Sequence, residues 1–513
     1  QGVEMLFTIA FLIGGETTAI TLNGSLGILT ALALAGFASR VLSREAGWLS
    51  AVLWTTTPMV AWLMTTGYAD LGAALFSFLS TVAAYTCVRR MRWQTGLLAG
   101  VFGAFAVSAK LNATLFVVAL MSVLLLVLLV SRRLGDSVRL AGSYVAGFVP
   151  FVSVWPLLRF IETGNPVYPF LNGVFRVPDH PPVNEWFNFG DFGLGTGLSS
   201  LLALPWNITF HGDRFIEALH PYVLGPCLLF AVIACLLALP RISGELRWSL
   251  FIALLYVGAW FLRAQYLRYL LPALPLISLI AAAALVRVFQ PMAHLPRRFA
   301  LTIICSLGSS ASLVIWLASY YNIPERVPFR VIVGAEPRTA YVARTVAVYP
   351  AFQAAGKACE STAFSVLSIH NEYGYLCPKM IPWTARRASF VFSAASDDGY
   401  RATLRGLSVG FVVVDDARGD ASSLPFVSSG FLDRAGEVIY SGRSVTAFRM
   451  LGRDEKPKGQ VVRAEQQPDA APYRPGLLES LDPTFEHAVD ADSRWTPGRA
   501  SHPGSGSGSS GCS

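Results

Sequence analysis

The 513 residues are 53% hydrophobic and only 14% charged, with 40 Lys and Arg against 32 Asp and Glu and a formal net charge of +8. Soluble globular chains carry about a quarter charged residues, so most of this length is excluded from an ordinary soluble fold. Nucleic acid is excluded as a partner as well. The arginines sit in short clusters between apolar runs, and no basic helix with interleaved stacking aromatics occurs.

Gln1 opens the chain with neither a basic start nor a small-residue cleavage site. No signal peptide is read there, and the sequence is expected to begin inside a longer gene product. Residues 1–16 read as the end of an interfacial helix. Apolar runs then predict transmembrane helices near 17–39, 46–63, 69–88, 95–111, 112–130, 138–160, 221–239, 247–263, 267–288 and 299–319. Leu115 to Val130 and Ala46 to Ala69 contain no charged residue. Such runs approach the ~20 residues a helix needs to cross hydrocarbon, where backbone groups must bond within their own segment.

Arginine placement gives an orientation. Arg40 and Arg44, Arg89, Arg90 and Arg92, Arg132, Arg133 and Arg139, Arg241 and Arg247, and Arg287, Arg297 and Arg298 all fall in one set of alternate loops. The opposite short loops hold only Lys110, Arg263 and Arg268 as basic residues. The arginine-rich set is therefore expected on the cytoplasmic side. That assignment puts residues 161–220, and everything after 320, on the outer face.

The predicted organisation is a transmembrane unit over 1–320 with a long outer loop at 161–220, a soluble outer-face unit over 321–451, and a disordered tail over 452–513. The long loop carries Tyr168, Phe170, Trp186, Phe187, Phe189 and Trp206, a composition suited to the membrane interface. In the soluble unit, helices are expected at 337–357 and 397–407, and strands at 363–369, 409–414, 436–440 and 444–450. Helix alternating with apolar strand predicts a small α/β sandwich. The fold class is thus a polytopic α-helical membrane protein of about ten transmembrane helices with a small C-terminal soluble α/β domain. Cys359 and Cys377 share the outer-face unit, where a disulfide and two separate thiols are equally open readings. Cys87, Cys227, Cys235 and Cys305 lie in apolar runs and read as small core residues.

Ionisable groups at a membrane edge are costly and mark candidate sites. Asp70, in Thr65-Thr66-Gly67-Tyr68-Ala69-Asp70, opens a span. It either caps the helix, where the dipole favours it, or orients an acceptor beside a catalytic base. Lys110, in Ser108-Ala109-Lys110-Leu111-Asn112, ends a span as the lone charge at its turn. It either snorkels to the interface or holds a lipid phosphate. Arg263 and Arg268 are five apart in Arg263-Ala264-Gln265-Tyr266-Leu267-Arg268-Tyr269-Leu270-Leu271-Pro272. They either anchor adjoining spans or clamp a phosphate. His180, His211, Asp179, Asp191 and Asp213 share the long loop at spacings that match no metal motif. No metal and no cofactor is expected, and a divalent cation in that loop is the one alternative.

These residues resemble the C-type integral membrane glycosyltransferases, a superfamily that includes the dolichyl-phosphate-mannose protein mannosyltransferases and the bacterial lipid A aminoarabinose transferase. Gly67-Tyr68-Ala69-Asp70-Leu71 is similar to that family's second outer-loop acid, and Ser108-Ala109-Lys110 to its phosphate-binding lysine. Thr163-Gly164-Asn165-Pro166-Val167-Tyr168-Pro169-Phe170, Arg268-Tyr269-Leu270-Leu271-Pro272 and the stretch Leu404 to Asp415 look like recurring bacterial segments. The resemblance spans roughly residues 1–450. It implies a catalytic role for Asp70, donor-phosphate binding by Lys110, Arg268 and Arg263, and a substrate cavity lined by Tyr68, Asn112, Asn165, Tyr168 and Tyr269. It also implies a first-loop catalytic acid preceding Gln1; Glu4 and Glu16 do not match its position.

The implied activity moves a sugar from a polyprenyl-phosphate-linked donor to a lipid, polysaccharide or protein acceptor at the outer face of a bacterial cytoplasmic (inner) membrane. Membrane lipids are the remaining partners. Two other readings fit outer-face charges: a transporter or flippase of an anionic lipid or solute, and a non-catalytic subunit of a membrane assembly. Against transport, the sequence shows no internal repeat and no matching pair of Gly/Pro-broken spans.

Overall fold

A computed structural model describes residues 2–130, 134–168, 171–175, 192–216, 223–225, 229, 232, 236, 244–288, 295–321, 329–346, 348–360, 364–368, 380–382, 396–415, 425–442, 444–452 and 462–463. The chain divides into two compact units, Gln1–Arg326 and Val327–Ser513.

The first unit is helical. Its first helix, α1 (Gly2–Val41), breaks at Gly14 and Gly15, the latter at φ +71°. Glycine alone adopts that conformation without strain, and the break falls where the sequence separates an interfacial segment from a span. Next come α2 (Arg44–Thr55) and α3 (Pro58–Leu63). Here the single span expected at 46–63 is corrected to two helices. Pro58 has no N–H for the Trp54 carbonyl, and Thr57 N donates to that carbonyl instead, at 3.3 Å. The broken pair is tied to α1 by polar contacts. Asn23 Nδ2 donates to the carbonyls of Leu63 (2.8 Å) and Thr66 (2.7 Å), and Trp54 Nε1 donates to Gly27 O at 2.9 Å.

Four helices follow: α4 (Asp70–Arg90), α5 (Trp93–Ala109), α6 (Ala113–Val130) and α7 (Leu134–Val152). Between α5 and α7 the backbones nearly touch. A Cβ added at Gly100 would stand 2.0 Å from Tyr144 O, and one at Gly147 would stand 2.1 Å from Leu97 O. Small residues permit this approach, which gains dispersion contact where lipid offers no hydrophobic drive. The remaining helices used below are α8 (Val154–Thr163), α9 (Leu198–Phe210), α10 (Gly244–Arg263), α11 (Leu274–Val288) and α12 (Leu295–Tyr321). A 3-10 turn at Leu267–Ala273 precedes α11. Pro272 and Pro275 cannot donate to the carbonyls four residues earlier, so the expected span at 267–288 opens with this tighter turn.

Among the described residues, five helices are long and apolar enough to cross a membrane: Gly2–Val41, Asp70–Arg90, Val138–Thr163, Leu246–Arg263 and Leu267–Val288. Shorter apolar helices occupy Trp93–Ala109, Ala113–Leu126, Leu198–Phe210 and Thr302–Ile315. The segment expected at 221–239 lies almost wholly outside the described residues.

The second unit holds a six-stranded sheet of order β2-β1-β3-β5-β4-β6. Its strands are β1 (Ser365–Ser368), β2 (Met380–Pro382), β3 (Val409–Asp415), β4 (Gly436–Gly442), β5 (Val445–Met450) and β6 (Val462–Arg463). β1 lies parallel to β2 and β3, and β5 runs antiparallel to β3 and β4. Every residue of β3 is buried. Phe411 and Val413 pack with Ala351, Phe352 and Ala355 on one face. Val412 and Val414 pack with Tyr400, Leu404 and Phe431 on the other. A strand covered on both faces reads as a continuous apolar run, as Val409 to Val414 does. The helix expected at 337–357 is corrected to two, α13 (Arg338–Thr345) and α14 (Tyr349–Glu360), because Pro350 cannot donate to the carbonyl of Val346. Cys359 is buried, with Sγ donating to Phe364 O at 3.1 Å. Cys377 lies outside the described residues; of the tail expected as disordered over 452–513, Gly452, Val462 and Arg463 are described, and the last two form β6 against β4, which corrects that expectation for them.

Candidate functional site

Three segments distant in sequence meet at one end of the helical unit. Asp70 is the first residue of α4 and only 1% exposed, and it makes no capping hydrogen bond to the helix. Lys110 follows the last residue of α5 in extended conformation, its N–H on Ala106 O at 3.0 Å. Arg268 stands in the 3-10 turn. Lys110 Nζ donates to Asp70 Oδ1, and Arg268 NH2 donates to Asp70 Oδ2 at 2.9 Å. A lone buried carboxylate costs several kcal/mol, and the two cations remove that cost.

Arg268 is fixed from several sides. NH1 lies 3.2 Å from the Tyr266 hydroxyl, and the guanidinium sits 3.7 Å above the centre of the Tyr68 ring. Such cation–π contact holds a planar cation face-on. Tyr266 is itself buried, with its carbonyl accepting from Trp260 Nε1 at 2.8 Å and its ring 5.0 Å from that of Tyr269. Lys110 Nζ lies 5.1 Å from the centre of the Tyr269 ring. The carbonyl of Tyr269 accepts from Tyr256 OH and from Asn112 Nδ2, the latter at 3.3 Å.

Among the described residues, Arg268 Nε, a cationic donor, and the acceptors Asn112 Oδ1 and Asn23 Oδ1 are buried without a hydrogen-bond partner. Unsatisfied buried groups are expensive, charged ones most of all.

The family model described as dolichyl-phosphate-mannose-protein mannosyltransferase matches residues 4–158, which include Asp70 and Lys110. The crystal structure of ArnT from Cupriavidus metallidurans bound to undecaprenyl phosphate is similar at 14% identity and a TM-score of 0.52, covering 89% of this chain and 88% of that one. The family match covers the first helices of the chain, and the likeness to ArnT is one of fold. At a TM-score of 0.47 and 13% identity, the Archaeoglobus fulgidus oligosaccharyltransferase tethered with an acceptor peptide is aligned over 88% of this chain, which spans 66% of that one. No curated protein matches the chain.

The sequence-derived candidates divide. Asp70, Lys110, Arg268, Tyr68, Asn112 and Tyr269 are brought together. Arg263 is not: it lies exposed in the last turn of α10, and no described contact joins it to Asp70. Asn165 is fully buried and builds a turn of its own, Oδ1 accepting from Val167 N at 2.9 Å and its carbonyl from Tyr168 N at 3.2 Å. Among the described residues no three His, Cys, Asp or Glu side chains gather to hold a metal ion. His211 ends α9 and Asp213 follows it, whereas Asp179, His180 and Asp191 lie outside the described residues.

Sequence reasoning missed Asn23, Tyr256 and Trp260 inside helices and Gln265 and Tyr266 in the link after α10. The first four donate to backbone, and the Tyr266 hydroxyl accepts from Arg268 NH1. A lone amide within an apolar run was the available signal for Asn23.

Proposed function

We propose that this chain transfers a sugar from a polyprenyl-phosphate-linked donor to a hydroxyl acceptor at the outer face of a membrane. The observation that carries the reading is the pairing of Lys110 and Arg268 on one buried carboxylate, with Arg268 Nε left without a hydrogen-bond partner among the described residues. In the reaction the acceptor oxygen bonds to the anomeric carbon as the bond from that carbon to the phosphate oxygen breaks. The electron pair leaves with the polyprenyl phosphate, and the hydroxyl proton passes to a base. Lys110 and Arg268 neutralise charge growing on the departing phosphate, the type of fixed electrostatic stabilisation that contributes most in a dry site. Asp70 has both oxygens on cations, so it acts through them by holding the pair in place. Arginine-rich loops opposite this end of the bundle support the outer-face orientation. Protein, lipid and polysaccharide acceptors all meet the requirement for a hydroxyl.

The test uses the full protein in sealed vesicles with a polyprenyl-phosphate sugar. Product should form only from donor presented on the side opposite Arg89 and Arg90. Lys110→Met keeps the apolar stem and removes the charge, and it should lower turnover by an order of magnitude or more, since hydrogen bonds to charged groups contribute about 1.5–3 kcal/mol. Normal turnover by a folded Lys110→Met protein would remove the lysine from the donor site.

A further inference from the structure

Gln265 lies in the link between α10 and the 3-10 turn and is only 5% exposed. Its amide is used in both directions. Oε1 accepts from Leu194 N at 3.0 Å, and Nε2 donates to Gly195 O at 2.7 Å and to Phe261 O at 3.0 Å. The first two contacts read a strand-like pair of backbone groups on a different segment, and the third closes one of the orphan carbonyls at the end of α10. The amide assignment is fixed by its partners, because two carbonyls require the nitrogen and one N–H requires the oxygen.

The segment so held lies within the long loop, just ahead of α9. Gly193 adopts φ +97°, and a Cβ there would stand 2.0 Å from Gln265 Oε1 and 2.5 Å from Gln265 Cβ. Its own N–H donates to Arg214 O at 2.7 Å. The neighbouring Phe192 ring lies 4.8 Å from that of Tyr266, whose hydroxyl meets Arg268 NH1 at 3.2 Å. A continuous path of contact therefore runs from the loop, through Gln265 and Tyr266, to the guanidinium.

We propose that Gln265 is a positioning residue for donor recognition: by clamping residues 192–195 against Tyr266, it holds the Arg268 guanidinium turned for phosphate. The proposal rests on the reading of Arg268 as a phosphate ligand and adds to it. Without the clamp, Phe192 leaves Tyr266, and the buried guanidinium loses the hydroxyl that fixes its in-plane angle. Asp70 and Tyr68 remain in contact with it, so affinity for phosphate falls without vanishing.

The experiment measures binding of undecaprenyl phosphate to the purified full chain, with thermal unfolding recorded on each variant. Arg268→Gln should weaken binding by more than about tenfold, as loss of a charged partner does. Gln265→Met keeps length and packing and should weaken binding by about twofold to tenfold, the range for neutral hydrogen bonds. Gly193→Ala drives a methyl into the same clamp. It also strains a backbone at φ +97°, and it should weaken binding of undecaprenyl phosphate while leaving that of undecaprenol unchanged, which loss of stability alone does not do. If Arg268→Gln binds normally, the phosphate reading itself fails. If Arg268→Gln is impaired but Gln265→Met and Gly193→Ala bind as the native protein does, the positioning role is overturned and the phosphate reading stands. Equal loss of undecaprenol binding would likewise overturn it. Should Gln265→Met fail to fold, Gly193→Ala and Phe192→Leu carry the same test, and native affinity in both would refute it.

Discussion

The seam between α5 and α7 and the charge cluster at the start of α4 are both tightly built, by opposite means. The seam brings backbones together through glycine, with Gly100 against Tyr144 O and Gly147 against Leu97 O. The cluster brings together charges whose separate burial would be prohibitive, Asp70 with Lys110 and Arg268. In the seam the stabilising term is dispersion, spread over many atoms. In the cluster it is mutual neutralisation, concentrated in three side chains, and it leaves an unpaired Nε behind. The seam is closed by backbone contact, whereas the cluster keeps Arg268 Nε without a hydrogen-bond partner among the described residues.

That contrast is most sharply broken at Asp70. Asp70→Asn leaves two cations without their counter-charge in a dry site, and removal of one partner from a buried ion pair costs about 3–5 kcal/mol. Thermal unfolding of the purified protein should show a larger loss for this substitution than for any single change at the seam. A loss no greater than at the seam would mean that water already solvates the cluster. Gly100→Val should cost less, about 1–3 kcal/mol for an overpacked contact, and should leave affinity for undecaprenyl phosphate unchanged. Altered phosphate affinity in that variant would show that the seam and the cluster are coupled.

An exposed ion pair in the second unit marks the low end of the scale. Arg434 donates to both oxygens of Asp397, at 3.0 and 2.8 Å. That hydrogen bonding, with the charge of Arg434, holds the Asp397 carboxyl below its ordinary value. A carboxyl depressed in the folded state adds stability above its unfolded pKa and loses it as pH falls through the folded one. Arg434→Gln should therefore raise the Asp397 midpoint seen by NMR titration. Its slight destabilisation should appear at neutral pH and disappear in acid, since exposed pairs contribute little. An unchanged midpoint would show that the pair does not persist in solution.

Much of the helical unit was legible because apolar runs and arginine clusters are local signals, and Asp70, Lys110 and Arg268 stand out in the sequence as charges at span ends. Their convergence was not legible. It joins positions 70, 110 and 268 across three helix ends, a relation that no spacing rule encodes. Proximity in sequence pairs Arg263 with Arg268, but the change from α-helix to 3-10 turn between them sends the two residues to different surroundings. The break at Pro58 was legible in principle, since the missing N–H is a property of the residue. Strands β2 and β6 escape sequence reading because three and two residues are too few to show alternation. Gln265 escapes it because an amide carries no charge, although two of its three hydrogen bonds reach residues 194 and 195 of the long loop and the third reaches Phe261 O.

The central claim is that the Asp70–Lys110–Arg268 cluster recognises phosphate. The most direct measurement compares the affinity of the purified full chain for undecaprenyl phosphate with its affinity for undecaprenol, which shares the tail and lacks the charge. The account predicts a preference for the phosphate of about tenfold or more, and loss of most of that preference in Lys110→Met, as expected when a hydrogen bond to a charged group is removed. Equal affinity for the two lipids, or an undiminished preference in Lys110→Met, would contradict it.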